Sequence, residues 1–419
     1  MRFIFPNLLQ NEVNPKSFVS NFWGAPQNIL HSIILAASTL LAIPFVSCKE
    51  KNNNEYYTPR EITATTDVPK YDLKLNRIDL ECFGVHDIIA VDSMIVAITT
   101  NNQSLIQVFD YSGKPIAMLS PSGRAGNEFL QVYYTNQNTV IDGDRYLYVG
   151  DHDNLYLYNL SASIRNGANL KPQKLMEIPD YRGRANGFNI LFRSDGSYFQ
   201  YAGVTYNEVR LSPSDYAINP DGSISVNNMP EFQYNPPTYT LVKPDNSITT
   251  FDIYPKLPDF KEDFWAQSLY QSTVRLSHDG RKVVVADAYQ DRMTFINLET
   301  GDMFGVRGPD CLDLVDIADT GSPSKIVEGA RQVVTYGNHI YVLYDHNTVY
   351  EEELEDKPVN ATIRVFTWDG EFIADLIPDA TITNFYIDDK TGKLIAIDNN
   401  EHFYIADISS FTNILLSVR

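Results

Sequence analysis

Cysteine is nearly absent from this chain, with three in 419 residues. Cys82 and Cys311 stand far apart in the sequence. They could pair in an oxidising compartment, but no clustered disulfide framework is encoded. Positive charge is also scarce: 33 Lys and Arg face 53 Asp and Glu, for a formal net charge of −20. Such a chain repels nucleic acid and anionic lipid, so a phosphate-rich partner is not expected. Only one long apolar run exists, residues 29–46, and no later stretch keeps a helical period over any length. A zinc-protease helix motif, a CxxC pair, an EF-hand loop, a GxSxG elbow and a dinucleotide fingerprint are all missing. With seven histidines scattered along the chain, the sequence predicts no metal and no cofactor.

What is present begins at the N-terminus. The apolar run ILHSIILAASTLLAIPFV ends in small residues and then Cys48. Phe45-Val46-Ser47-Cys48 resembles a bacterial lipobox, where cleavage precedes a cysteine that is then acylated. Residues 1–47 are therefore expected to be a lipoprotein signal peptide, with Cys48 the lipid attachment site. The next residues, KEKNNNEYYTPREITATT, are polar and poor in large aliphatics. They read as a flexible tether over residues 48–70. The early Lys49-Glu50 resembles signals that send lipoproteins to the outer face of the outer membrane. The expected location is thus the cell envelope, with the chain anchored by its lipid, facing the periplasm or the cell exterior.

Internal similarity sets the architecture. VFDYSGKPIAML (108–119) aligns without gaps on VFTWDGEFIADL (365–376), and FINLETGDMFGV (295–306) repeats the form with one extra turn residue. Each reads as strand, glycine turn and strand. A β-branched or aromatic strand precedes each hairpin, and four such strands end in Asp151, Asp287, Asp345 and Asp398. The interval from Asp151 to Asp287 suits two units, and RSDGSYFQYAG (193–203) supplies the missing one. Counting the unit at residues 94–102, the chain holds six. Residues 71–419 are therefore predicted to form an all-β, six-bladed β-propeller of four-stranded antiparallel blades. Residues 204–262 are read as an insertion in the third blade that lies across one face.

The lipobox, the GRAGNEF segment, the run YQSTVRLSHDGRKVVVADAY (270–289) and the sixfold count resemble TolB-like six-bladed propeller lipoproteins of Gram-negative bacteria, with NHL-type propellers as more distant relatives. In such families a GxGPGEF-like joint links one blade to the next. Gly123, Arg124, Gly126, Glu128 and Phe129 match it, while Ala125 and Asn127 depart from it. The resemblance implies an extracytoplasmic binding or scaffolding role.

Three candidate sites follow. GRAGNEF is read as an inter-blade joint, because it lacks the Lys-Ser/Thr pair of a phosphate loop. Asp151-His152 and Asp345-His346 offer carboxylate plus imidazole for a ligand or a metal, although Asp287 and Asp398 recur without a histidine and fit turn caps. Tyr206, Trp265 and Tyr270 are candidate ligand-facing aromatics that could stack on sugar rings. The expected function is a membrane-anchored ligand-binding or protein-interaction scaffold without catalysis. Its partners would be the membrane, through the lipid, and a glycan, a peptide or an envelope protein. The alternative is a polysaccharide lyase or hydrolase with its site at the channel mouth.

Overall fold

Short β-branched runs punctuated by Asp-Gly and similar pairs can do little but fold back on themselves. At Asp142-Gly143 both residues take positive φ (51° and 85°), the two-residue turn whose twist matches a β-hairpin. At the other recurring turn, Gly113 (φ 89°) donates to Asp110 O at 3.0 Å, and the Asp110 carboxylate accepts from Ser112 N at 2.8 Å. The computed structural model describes residues 58–151, 154–177, 190–201, 205–206, 216–218, 224–226, 234–235, 238–254, 270–312, 326–327, 329–353, 357–409 and 411.

Six sheets follow one another along the chain as the blades of a six-bladed propeller. Blade 1 comprises Val85–Val91, Met94–Thr99, Ile106–Asp110 and Pro115–Leu119. Blade 2 comprises Tyr133–Ile141, Asp144–Asp151, Asn154–Asn159 and Gln173–Glu177, with the helix Leu160–Asn166 before its last strand. Asn159 caps that helix by accepting from Ala162 N, and Gly167 (φ 60°) ends it. Blade 3 comprises Ile190–Phe192, Tyr198–Tyr201, Tyr239–Val242 and Ile248–Phe251. Blades 4 and 5 begin at Ser272 and Ala330, and each carries four antiparallel strands. In blade 6, Asn384–Ile387, Lys393–Ile397 and Phe403–Asp407 supply only three. The fourth is Asn76–Ile78 from the start of the domain, antiparallel to Phe403–Asp407. The first described segment thus completes the last blade and closes the ring.

Two expectations are refined here. Of the segment read as a tether, residues 48–57 lie outside the described residues, as do Cys48 and the expected signal peptide, while residues 58–70 are already built into the propeller. Glu61–Thr63 pairs in parallel with the outer strand of blade 4, and Lys70–Leu73 pairs in parallel with that of blade 5. Its few apolar residues suffice, because Ile62, Ala64 and Val68 pack on the core between these blades. The third-blade insertion is also shorter than 204–262. It falls between the second and third strands, residues 202–238, and includes two small hairpin pairings, Thr205–Tyr206 with Tyr234–Asn235 and Tyr216–Ile218 with Ile224–Val226. Ile248–Phe251, read as part of it, is the outer strand of the blade itself.

Apolar side chains fill the gaps between neighbouring blades. Val284, Phe295, Val333 and Val342 join blades 4 and 5, and Leu343, Leu376, Phe385 and Leu394 join blades 5 and 6. Strand His339–Asp345 is buried along its whole length because it meets a neighbour on both faces. Between blades 2 and 3, Tyr148 stacks on Phe192 at 4.9 Å, and the Gln137 amide bonds both backbone groups of Phe192. Cys82 and Cys311 are free thiols and do not pair.

A chain truncated to begin at Asp79 leaves blade 6 with three strands and blades 4 and 5 without their outer partners. Its thermal unfolding, followed by circular dichroism, should broaden and shift to lower temperature. A peptide covering residues 58–78, added in trans, should restore part of the loss; a truncated chain that melts like the parent would refute this role.

Candidate functional site

The innermost strand of each blade faces the central channel, and three of these strands are irregular. Pairing register breaks between Val85 and Asp87, between Tyr134 and Asn138, and between Ala330 and Gln332. Such bulges re-aim side chains and recur beside functional sites. Here they accompany a polar cluster in an otherwise apolar ring. Tyr134 and Tyr386 hydroxyls lie 3.1 Å apart, and Asn138 Nδ2 donates to both at 3.1 Å. Arg145 supports this group from behind, donating to Asn138 Oδ1 at 2.7 Å while its other nitrogens grip Asp92 at 2.9 and 3.0 Å. One network therefore ties blades 1, 2 and 6 together at the channel.

Two charges complete the cluster. Arg275 on blade 4 is 6 % exposed and donates to Val274 O at 2.8 Å and, more distantly, to Gln332 Oε1 at 3.4 Å. Asp87 on blade 1, across the ring, accepts from Ile88 N at 2.9 Å and from Asn384 Nδ2 at 3.4 Å. No ion pair within 4.0 Å joins the two. Burial lowers Arg275 to about 10, which still leaves it a cation at neutral pH. Burial raises Asp87 to about 6 against its backbone hydrogen bond and the attraction of Arg275, so it is an anion at neutral pH. Tyr134 and Tyr386 are pushed upward by burial and keep their protons. His86, lowered to about 4 by burial, is neutral. Asn384 Oδ1 is buried without a hydrogen-bond partner. The channel thus presents an anion, a cation and unmet hydrogen-bonding capacity, and can hold a small polar molecule that bridges its walls.

The residues singled out from sequence fall elsewhere. Asp151 accepts from Leu130 N and Gln131 N at 3.2 and 3.3 Å, while His152 lies outside the described residues. Asp345 is buried, paired with Arg331 at 2.8 Å and accepting from Asn347 N at 3.0 Å. His346 is exposed and meets Thr362 Oγ1 at 3.1 Å. The strand ends at Asp345, and the two side chains take different partners, Asp345 in the interior and His346 at the surface. Among the described residues, no group of three or more His, Cys, Asp or Glu is placed to hold a metal ion. Tyr270, taken as ligand-facing, is instead core: it is 1 % exposed and packs edge-on against Tyr254 at 5.1 Å. The side chain of Tyr206 and all of Trp265 lie outside the described residues.

In GRAGNEF, Gly123 N donates to Phe129 O and Ala125 N to Glu128 Oε2, both at 2.9 Å, so these amides are occupied within the loop. Neither Gly123 nor Gly126 has positive φ. The Glu128 carboxylate occupies the place a Cβ at Gly123 would take, so a larger residue there would displace that carboxylate from Ala125 N. Phe129 is buried against Tyr156 and Tyr158, and Arg124 is exposed. The acidic run after Thr348 starts as one helical turn whose Glu351 caps Thr348 N at 2.9 Å and is held down to about 2 by Lys357.

Sequence reasoning passed over Asp87, Arg275, Asn138 and Tyr386. A signal existed for two of them: a single charge interrupts the apolar strands HDIIAV and STVRL.

Asp87 carries a pH signature. Folding holds its proton to about pH 6, whereas an unperturbed aspartate releases it near 3.8, so its contribution to stability falls as pH rises through that window. Asp87→Asn should flatten the stability change between pH 4 and 7 in urea titrations and be the more stable chain above pH 6. An unchanged slope would contradict the placement of Asp87.

No curated protein matches this chain. Among solved structures, a presumed exported protein of Bacteroides fragilis aligns over 85 % of this chain and 94 % of its own, at 12 % identity and a TM-score of 0.47. U3-55K aligns over 80 % and 98 %, at 11 % identity and 0.42. Hydrazine synthase of Kuenenia stuttgartiensis aligns over 82 % of both chains, at 14 % identity and 0.39. Residues 243–390, from the outer part of blade 3 into blade 6, match the family described as TolB-like 6-blade propeller-like. With six blades closed by its own N-terminal strand, the chain is a six-bladed β-propeller that is similar over residues 243–390 to the TolB-like six-bladed propellers.

Proposed function

We propose that this protein is an extracytoplasmic, lipid-anchored binding module that takes a small polar ligand into its central channel. One observation carries the binding part: the Arg275 guanidinium and the Asp87 carboxylate stand on innermost strands of opposite blades, face one channel, and form no ion pair with each other within 4.0 Å. Buried charges are costly unless compensated. A ligand offering an acceptor to Arg275 and a donor to Asp87 and Asn384 would compensate both. The surrounding tyrosines and amides suit a molecule rich in hydroxyl or amide groups, which agrees with a glycan or a peptide.

Anchoring rests on the sequence around Cys48. The ten residues from Cys48 to Thr58 can span at most about 35 Å when extended. Acylation at Cys48 would therefore keep Thr58 within that distance of the bilayer. The acidic net charge favours display above an anionic membrane over adsorption to it.

Both parts are open to test. The purified parent, applied to arrayed glycans and peptides, should retain a subset that Arg275→Met loses; retention of the same subset by the variant would remove the channel as the site. Cys48→Ala should move the protein from the membrane to the soluble fraction without detergent, whereas a variant that stays membrane-bound would rule out the lipid anchor.

A further inference from the structure

The strap residues 64–70 pass from blade 4 to blade 5 over a cavity of about 260 Å³, slightly smaller than typical ligand pockets of roughly 300–1,000 Å³. Its mouth is exposed at Lys70, Asp310 and His346, and its floor is buried. The floor cations are already matched: Arg292 pairs with Glu61 at 2.7 Å, and Arg364 pairs with Asp291 at 2.8 Å. Arg364 also lies over the Tyr344 ring at 3.4 Å, which fixes its plane.

Asp375 is the exception. It is 9 % exposed, and the one hydrogen bond to its carboxylate comes from Thr362 Oγ1 at 3.4 Å. Arg364, its cross-strand neighbour, attracts its charge, as do His346 and Lys70, but none of them forms an ion pair with it within 4.0 Å. Its backbone N–H is held by Pro69 O at 3.0 Å, so the side chain cannot swing out with a mobile loop. Beside it, Phe366 and Phe372 stack at 4.9 Å and, with Met293 and Val306, form an apolar wall. Opposite, Arg364 Nη2 stands 4.0 Å from Asp310, beyond hydrogen-bond reach.

We infer that this inter-blade cavity is a second binding site, specific for a primary ammonium carried on an apolar body about the size of one amino-acid side chain. The ammonium supplies Asp375 with the charge-assisted hydrogen bonds it lacks. The apolar body packs on Phe366 and Phe372, and a carbonyl oxygen on the same molecule can accept from Arg364 Nη2. A metal is disfavoured, because among the described residues no three His, Cys, Asp or Glu side chains are placed to hold one ion. An anion would meet Asp375 and Asp310 in the same chamber. The site shares no residue with the central channel.

Phenethylamine is the probe, titrated into the full chain by calorimetry, with 3-phenylpropionate as the acid of matching shape. The amine should bind and the acid should not. Asp375→Asn, close to isosteric, should weaken the amine by about tenfold or more, as the loss of a charge-assisted bond implies. Lys70→Glu, at the exposed mouth, should tighten it, because a repelling cation becomes an attracting anion. Arg275→Met should leave it unchanged. Absence of amine binding at millimolar concentration, equal binding of the acid, or equal affinity in Asp375→Asn would each overturn the inference.

Discussion

Everything in this molecule depends on the antiparallel pairing of Asn76–Ile78 with Phe403–Asp407. A ring of sheets has no edge problem inside a blade gap, since each face is covered by the next blade. Its weakness is the seam, where the first and last blades must be fixed together against thermal opening. Here the seam is sealed by the segment that also lies along blades 4 and 5. The apolar cluster between blades 6 and 1, around Phe109, Phe403 and Cys82, can be dry only when that strand is in place. Burial of Cys82 follows, and with it a thiol pushed up to about 12 and chemically quiet.

The strap does more than close the ring. Its Glu61 is the acid that meets the fully buried Arg292 on blade 4, and Thr58 meets the same guanidinium at 3.0 Å. A buried cation of this kind adds little net stability as a pair, yet losing its partner is expensive. That asymmetry makes the strap part of the folded state rather than an accessory to it. It also makes one wall of the cavity between blades 4 and 5, so closure and the cavity share a cause.

Polar groups in the interior follow a single pattern. Aspartates at the ends of second strands, such as Asp345 and Asp398, accept loop N–H groups and so finish their blades. Asp398 additionally holds His402 at 2.9 Å. These carboxylates are fully employed in structure. Asp87 and Asp375 differ because burial raises them and few donors reach them. Under-satisfied carboxylates of this kind are what the two proposed sites are built on.

The repeated hairpins, the spacing of the strand-end aspartates and the Asp-Gly turns were enough to read an all-β propeller of six blades from the chain alone, because a turn and a period-two strand are local properties. The placement of GRAGNEF after the outer strand of blade 1 was legible for the same reason. The tether boundary was not: Glu-Ile-Thr looks like spacer until blade 4 offers it an edge to pair with. Nor was the role of Tyr270, whose aromatic ring fits a sugar platform or a blade core equally well until its neighbours are known. Asp345-His346 drew notice as a dyad, but the carboxylate is buried on Arg331 while the imidazole is exposed beside Thr362. The groups that do share a space, Asp87 with Arg275 and Asp375 with Phe372 and Arg364, sit on different strands or blades. Sequence determined the repeating unit; which side chains meet was decided only when the ring closed, because closure alone brings strands distant in sequence to one channel and one gap.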